Sequence, residues 1–267
     1  MRRRVCDDNF MNPRVSYKTE AIVLRSIDYG ESDKIVTFYT SEFGKVKGIA
    51  KGARRSKKRF ANVLELFSRL QLLFSRRNYD SLTLIEEGSV IDSYPPIRND
   101  LHKTLFASYM MDITDHFTVE NKKNAELFRL VQDFLNLMTL GDASEDIIRF
   151  FEIRLLKLAG YEPVLDRCVT CRTPVGNGDF YHFSVQDGGL KCGVCSPQSY
   201  SSLRVSMGTV KSLLLGKEME KQNLCRLSLS EQSARESRLL LGRFIEHLLG
   251  KEVKSLHVIR EIHEMGI

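Results

Sequence analysis

YKTEAIVLRSIDYGESDKIVTFYTSEFGKVKGIA, residues 17–50, strings short β-rich runs between turn signals. Ala21-Ile22-Val23-Leu24, Ile35-Val36-Thr37-Phe38-Tyr39 and Val46 to Ala50 carry the β-branched and aromatic side chains that suit a pleated surface. Tyr29-Gly30-Glu31-Ser32 and Phe43-Gly44-Lys45 punctuate them, and two further runs follow at Leu66 to Phe74 and Leu82 to Ile85. Five short strands with no helical pattern between them predict a small closed barrel, because closure removes exposed strand edges. The commonest five-stranded solution is the oligonucleotide-binding (OB) barrel.

Outward from the barrel the texture changes. Residues 1–15 show no periodicity and read as a disordered basic tail, which leaves 16–94 for the barrel. Pro95-Pro96 stops the sheet pattern and opens a helical domain over 95–267. Leu101, Leu105, Tyr109, Ile113 and Phe117 form one amphipathic stripe, and Leu127, Leu130, Val131, Phe134 and Met138 a second. A third runs through Ile148, Phe151, Leu155 and Leu158, between the acidic start Ser144-Glu145-Asp146 and the glycine stop Gly160. Helix resumes after Ser206 and again from Ser230, where Leu241, Phe244, Ile245, Leu248 and Leu249 precede Gly250. The expected class is α+β, an OB barrel followed by helices.

The helical part is interrupted at about 166–200 by two Cys-x-x-Cys pairs, Cys168/Cys171 and Cys192/Cys195, twenty residues apart. Each pair puts two thiols on one tight turn, and two facing turns make the tetrahedral S4 cage that structural Zn²⁺ prefers. Phe180, Tyr181, Phe183 and Val185 read as strand, and Gly188-Gly189 allows the sharp return that brings the second pair to the first. Four thiolates close the metal's shell, which argues against catalysis. A redox pair would occur once, near a βαβ pattern. A disulfide framework needs an oxidising compartment, and the N-terminus MRRRVCDDNF has no apolar stretch typical of a secretory signal. A deaminase-type zinc site needs His-x-Glu and Pro-Cys-x-x-Cys, and neither pair follows a proline. Cys6 and Cys225 read as free thiols.

With 42% hydrophobic and 28% charged residues, and no apolar run near the roughly 18 residues of a membrane span, the composition is that of a cytoplasmic globular protein. Charge is uneven. Residues 1–80 hold 18 Lys and Arg against 9 Asp and Glu, while 81–267 hold 22 against 25. A polyanion partner is therefore expected for the first part only. The density peaks in KVKGIAKGARRSKKR, residues 45–59, where Lys45, Lys47, Lys51, Arg54, Arg55, Lys57, Lys58 and Arg59 occur without an acid. These eight are the candidate nucleic-acid contacts. If about six neutralise single-strand phosphates, log K should fall with log salt at a slope near −4. Phe38, Tyr39, Phe43 and Phe60 lie beside them and could stack on bases, although barrel core is the commoner fate of such residues.

Catalytic signals are thin. The P-loop pattern is absent, His263-Glu264 lacks the second histidine of a zincin helix, and Asp92, Asp100, Asp112 and Asp115 are explained as well by helix solubility as by a nuclease metal cluster. No catalytic residue is expected. A zinc-ribbon RNA-binding transcription or translation factor is the competing reading.

Three blocks in order decide between these. The stretch from Tyr17 to Arg55, FFEIRLLKLAGYEPVLDRCVTC (residues 150–171) and GGLKCGVC (residues 188–195) resemble the RecO recombination-mediator family over roughly residues 16–250. The resemblance implies an OB barrel, a helical domain and zinc on Cys168, Cys171, Cys192 and Cys195. It also implies a nucleoid-associated DNA repair protein that binds single- and double-stranded DNA and anneals complementary strands without ATP. Its implied partners are RecR, the acidic tail of the single-stranded DNA-binding protein (SSB) and, indirectly, RecA. The tail would need an apolar groove with one or two cations, for which Lys122, Lys123, Arg129, Arg149 and Arg154 are candidates.

Overall fold

The structure, a computed structural model, describes residues 13–264 apart from 57, 78–82, 142–143, 177–179, 197–201 and 225. Residues 1–12, Cys6, Lys57 and Cys225 therefore lie outside the described residues.

Five strands close a barrel in the order β1-β2-β3-β5-β4: β1 (Val15–Tyr29), β2 (Asp33–Thr40), β3 (Gly44–Ala50), β4 (Arg69–Arg76) and β5 (Thr83–Asp92). The β3–β5 pair is parallel, with Gly48 opposite Thr83 and Ile49 opposite Leu84, and every other pair is antiparallel. This is the OB arrangement. Gly48 permits the parallel closure, since a Cβ there would sit 2.7 Å from the Thr83 carbonyl oxygen. Val23, Val36, Phe38, Val46, Leu72, Phe74 and Ile85 fill the interior.

β1 is much longer than its apolar run of four, and a bulge between Val23 and Arg25 divides it. Ile22 before the bulge and Leu24 at it join the helical core, as does Tyr39 from β2. Beyond it Arg25, Ile27 and Tyr29 face solvent.

The helices are α1 (Pro95–Arg98), α2 (Leu101–Phe117), α3 (Ala125–Leu140), α4 (Glu145–Ala159), α5 (Met207–Glu218), α6 (Lys221–Leu224), α7 (Glu231–Leu249) and α8 (Lys254–Glu264). Their starts follow local chemistry. Asp100, Asn124, Ser144, Ser206 and Ser230 each accept a backbone N–H from the first turn of α2, α3, α4, α5 and α7 respectively. Gly160 and Gly250 end α4 and α7 in the left-handed conformation. α4 lies at the centre of the bundle, with Phe150, Phe151, Leu155 and Leu156 fully buried, and Gly216 on α5 lets the helices meet because a Cβ there would approach Phe150 to 2.2 Å. None of these helices is long and apolar enough to cross a membrane.

Between α4 and α5 lies a three-stranded sheet in the order β7-β6-β8, with β6 (Phe180–Ser184), β7 (Gly189–Lys191) and β8 (Leu203–Ser206). β6 matches the expected strand except at Val185, which falls in the turn to β7, and β8 adds an edge that the apolar pattern did not signal.

Candidate metal centre and nucleic-acid interface

The two cysteine turns are built by backbone hydrogen bonds. In the first, the Cys168 N–H donates to the Thr173 carbonyl (2.8 Å) and the Arg172 N–H to the Cys168 carbonyl (3.0 Å), with Arg172 left-handed. In the second, the Cys195 and Ser196 N–H groups both donate to the Cys192 carbonyl, at 3.0 and 2.9 Å. The turns are tied together where the Val169 N–H donates to Leu190 (2.8 Å), an approach only glycine at 189 allows because a Cβ would lie 2.4 Å from the Val169 side chain.

The result is four sulfurs all within 4.8 Å of one another, with Cys171 Sγ 3.7 Å from Cys192 Sγ. That is far from a disulfide bond, and a tetrahedral site with metal–sulfur bonds of about 2.3 Å has edges of about 3.8 Å. The chemistry of the set agrees. Burial would raise the Cys168 thiol, but amide donors from Cys171, Cys192 and Thr170 outweigh it and bring the group down to about 6. Cys195 is pushed up to about 12, first by Cys192 and then by Cys171. Four thiolates this close need a cation between them. Among the described residues this is the one group of three or more potential ligands near enough to hold a metal ion. The four aspartates considered above have local uses. Asp92 accepts the Tyr94 N–H, Asp100 caps α2, Asp112 accepts from the Ser255 hydroxyl, and Asp115 pairs with Lys45.

The basic segment folds back onto the β1–β2 turn. Arg54 donates to the carbonyls of Gly30 (3.2 Å) and Glu31 (3.3 Å) and lies 3.3 Å from the Asp28 carboxylate. The Gly52 N–H donates to Asp33 (2.8 Å), so acids distant in sequence hold a segment that has none of its own. Lys47, Lys51, Arg55, Lys58 and Arg59 are exposed. Of these, Arg55 lies 3.6 Å from the exposed Glu31, a weak pair, and Arg59 lies over the Phe60 ring. Lys45 is different: its ammonium donates to the Asp115 carbonyl (2.6 Å) and pairs with the Asp115 carboxylate (3.1 Å), a half-buried tie between β3 and α2.

The aromatic candidates take their commoner role. Phe38, Tyr39 and Phe60 are buried, and Phe43 packs between Tyr17 and Phe74 with ring centres 5.1 and 5.4 Å away. The outer barrel face instead presents Arg25, Ile27 and Tyr29, an alternation visible in R-x-I-x-Y once the bulge has set its phase.

On the helices, Arg149 is no surface cation. It is 3% exposed and lies 2.9 Å from Glu152, which accepts the Tyr109 hydroxyl at 2.5 Å. Burial pushes the Glu152 carboxyl up, while Arg149 and Tyr109 pull it down. Arg149→Ala is expected to cost about 3–5 kcal/mol, because it leaves that carboxylate buried and uncompensated; urea unfolding measures it. Arg154 is half-buried and bonded to the Gly216 and Met219 carbonyls, and Lys123 pairs with Glu42 (2.7 Å). Arg129 and Lys122 remain exposed. Arg129, Leu130, Arg154, Lys157 and Leu158 line one groove between α3 and α4.

Comparisons with known proteins agree with this architecture. The family described as "Recombination protein O N terminal" matches residues 11–94, and "Recombination protein O C terminal" matches residues 98–257. A protein of Syntrophus aciditrophicus (strain SB) named DNA repair protein RecO is 50% identical over 259 residues, which span 96% of this chain and 100% of that protein. Proteins of the same name from Halalkalibacterium halodurans and Anaeromyxobacter sp. (strain K) are 32% and 33% identical, covering 94% and 92% of this chain and 96% of each relative.

Proposed function

The chain belongs to the RecO family of DNA repair proteins, and from that premise we propose that it is a non-enzymatic recombination mediator. It binds single- and double-stranded DNA through its barrel and anneals complementary strands without ATP. With RecR it helps load RecA onto SSB-coated gaps. The observation that carries this reading is the exposed run of Lys47, Lys51, Arg55, Lys58 and Arg59 along β3 and the segment that follows it in an OB barrel.

Annealing needs no nucleophile and no proton transfer. Two phosphate backbones repel, a cationic surface that neutralises both lowers that barrier, and base pairing supplies the driving force. In this reading the barrel, 16–94, is the DNA-binding domain, and 95–267 is a helical domain for partners. The groove between α3 and α4 sets Leu158 beside Arg129 and Lys157, the latter paired with Glu218 at 2.8 Å. It also carries Glu126 and Asp133, so Arg129 is the exposed cation it offers to an acidic tail ending in apolar residues.

Cys168, Cys171, Cys192 and Cys195 would hold Zn²⁺. The sulfur spacing and the all-thiolate set support zinc over a hard cation such as Mg²⁺ or Ca²⁺, which takes oxygen ligands. The ion's contribution would be structural, clamping the turns at 168–172 and 192–196 to each other.

The test is annealing of two complementary oligonucleotides, each coated with the cognate SSB, by purified protein in the absence of ATP. Annealing well above the spontaneous rate is expected. A folded, metal-loaded protein that leaves the coated strands apart would contradict the mediator role.

A further inference from the structure

Barrel register places a second kind of surface beside the cations. Directly paired residues share a face. Arg25 on β1 pairs with Thr37 on β2, which pairs with Lys47 on β3, and Ile27 pairs with Ile35, which pairs with Ile49. Tyr29 follows Ile27 at the tip of the β1–β2 hairpin. The alternate row, Ser26, Val36 and Gly48, points inward, where Val36 is fully buried. Nearer the helices the same outer face is covered, with Leu24 and Tyr39 only 3% and 1% exposed; past the bulge Ile27 and Tyr29 are 44% and 55% exposed.

The apolar row is buried at Ile49 (9% exposed), opens through the half-buried Ile35 to Ile27, and is followed by the exposed phenol of Tyr29, which pairs with Asp33. Arg25 and Lys47 border it on one side. On the other side lies the basic segment, fastened to the hairpin by the bonds from Arg54 to Gly30 and Glu31. Cations alone would suit any polyanion. Cations flanking an apolar platform suit a strand whose bases are unpaired, because each base has a face to stack and a duplex keeps those faces inside.

We infer that this strip is the base-stacking platform of the DNA site, with Tyr29 as the stacking residue, and that it makes the barrel prefer single strands to duplex. The inference rests on the DNA-binding reading above and adds to it which atoms of the nucleic acid are gripped. Phosphates lie along Lys47, Lys51 and Arg55 while bases rest on Ile27 and Tyr29.

The chain contains no tryptophan, so Tyr29→Trp installs a single fluorescent reporter at the proposed contact. Titration with oligothymidylate should quench its emission. Tyr29→Ala should weaken oligothymidylate binding about tenfold, leave duplex affinity within about twofold, and leave the salt dependence unchanged because no cation is removed. Tyr29→Phe should restore the loss. Tyr29 is at a surface turn, and circular dichroism of each variant checks its fold. If Tyr29→Trp binds oligothymidylate without quenching and Tyr29→Ala binds like the parent, the platform is wrong while DNA binding by the cations stands. If the parent protein binds no single strand at all, both readings fail together.

Discussion

Replacing Cys168 and Cys171 together by alanine is expected to lower the thermal unfolding midpoint by roughly 6–20 °C, while single-strand affinity of the folded fraction stays within about twofold. Structural zinc contributes roughly 10–16 kcal/mol in isolated peptides. Here the two turns are already joined to the β7-β6-β8 sheet, where Phe183 and Leu190 are fully buried, so a smaller share of that energy is at stake. A loss of about 3–5 kcal/mol, at about 2–4 °C per kcal/mol for a protein of this size, gives the stated shift. Elemental analysis should find one zinc per parent chain and none in the variant. The separation of the two effects follows from position, since the cysteines follow α4 and the exposed cations lie on the barrel. A variant that folds well and loses DNA affinity in proportion would contradict it.

The second large effect is electrostatic. Changing Lys47, Lys51, Arg55, Lys58 and Arg59 to alanine removes five exposed cations. The slope of log K against log salt should become shallower by up to about 3.5, and affinity near 0.1 M salt should fall on the order of 10²-fold or more. Lys45→Ala is the contrasting variant. Its ammonium already serves Asp115, so its removal should cost about 1 kcal/mol of stability and leave the slope nearly unchanged. A quantitative binding titration across several salt concentrations separates the two. A five-site variant that keeps the parental slope would move the phosphate contacts elsewhere.

Much of the architecture is legible in the residues because local rules act alone there. The helix starts at Asp100, Ser144, Ser206 and Ser230 are capping chemistry, and the barrel strands lie between turns at Gly30 and Gly44 whose φ is positive. What escapes is what depends on distant partners. β1 shows only four consecutive apolar residues because polar residues such as Lys18, Glu20 and Asp28 alternate with the others on either side of that run, and the bulge that shifts the phase is not a composition signal. Arg149 reads as a surface charge on an amphipathic helix; it is buried because Glu152, three residues on, and Tyr109, on α2, satisfy one another beside it. Lys45 belongs to a run of cations yet is claimed by Asp115, seventy residues away in sequence. Phe38, Tyr39 and Phe60 sit beside cations in sequence but on buried positions of the fold, whereas Tyr29, beside the β1–β2 turn, is exposed. The cysteine spacing, by contrast, carries its own geometry, and the four sulfurs meet as the two pairs imply.

The outer face of the barrel is the proposed DNA site. Photocrosslinking with a single strand carrying 5-iodouracil, followed by mass spectrometric mapping, tests that placement most directly. Crosslinks at Tyr29 and in peptides from residues 45–59 are the expected result. Crosslinks confined to the helices between residues 101 and 249, with the barrel unlabelled, would contradict it.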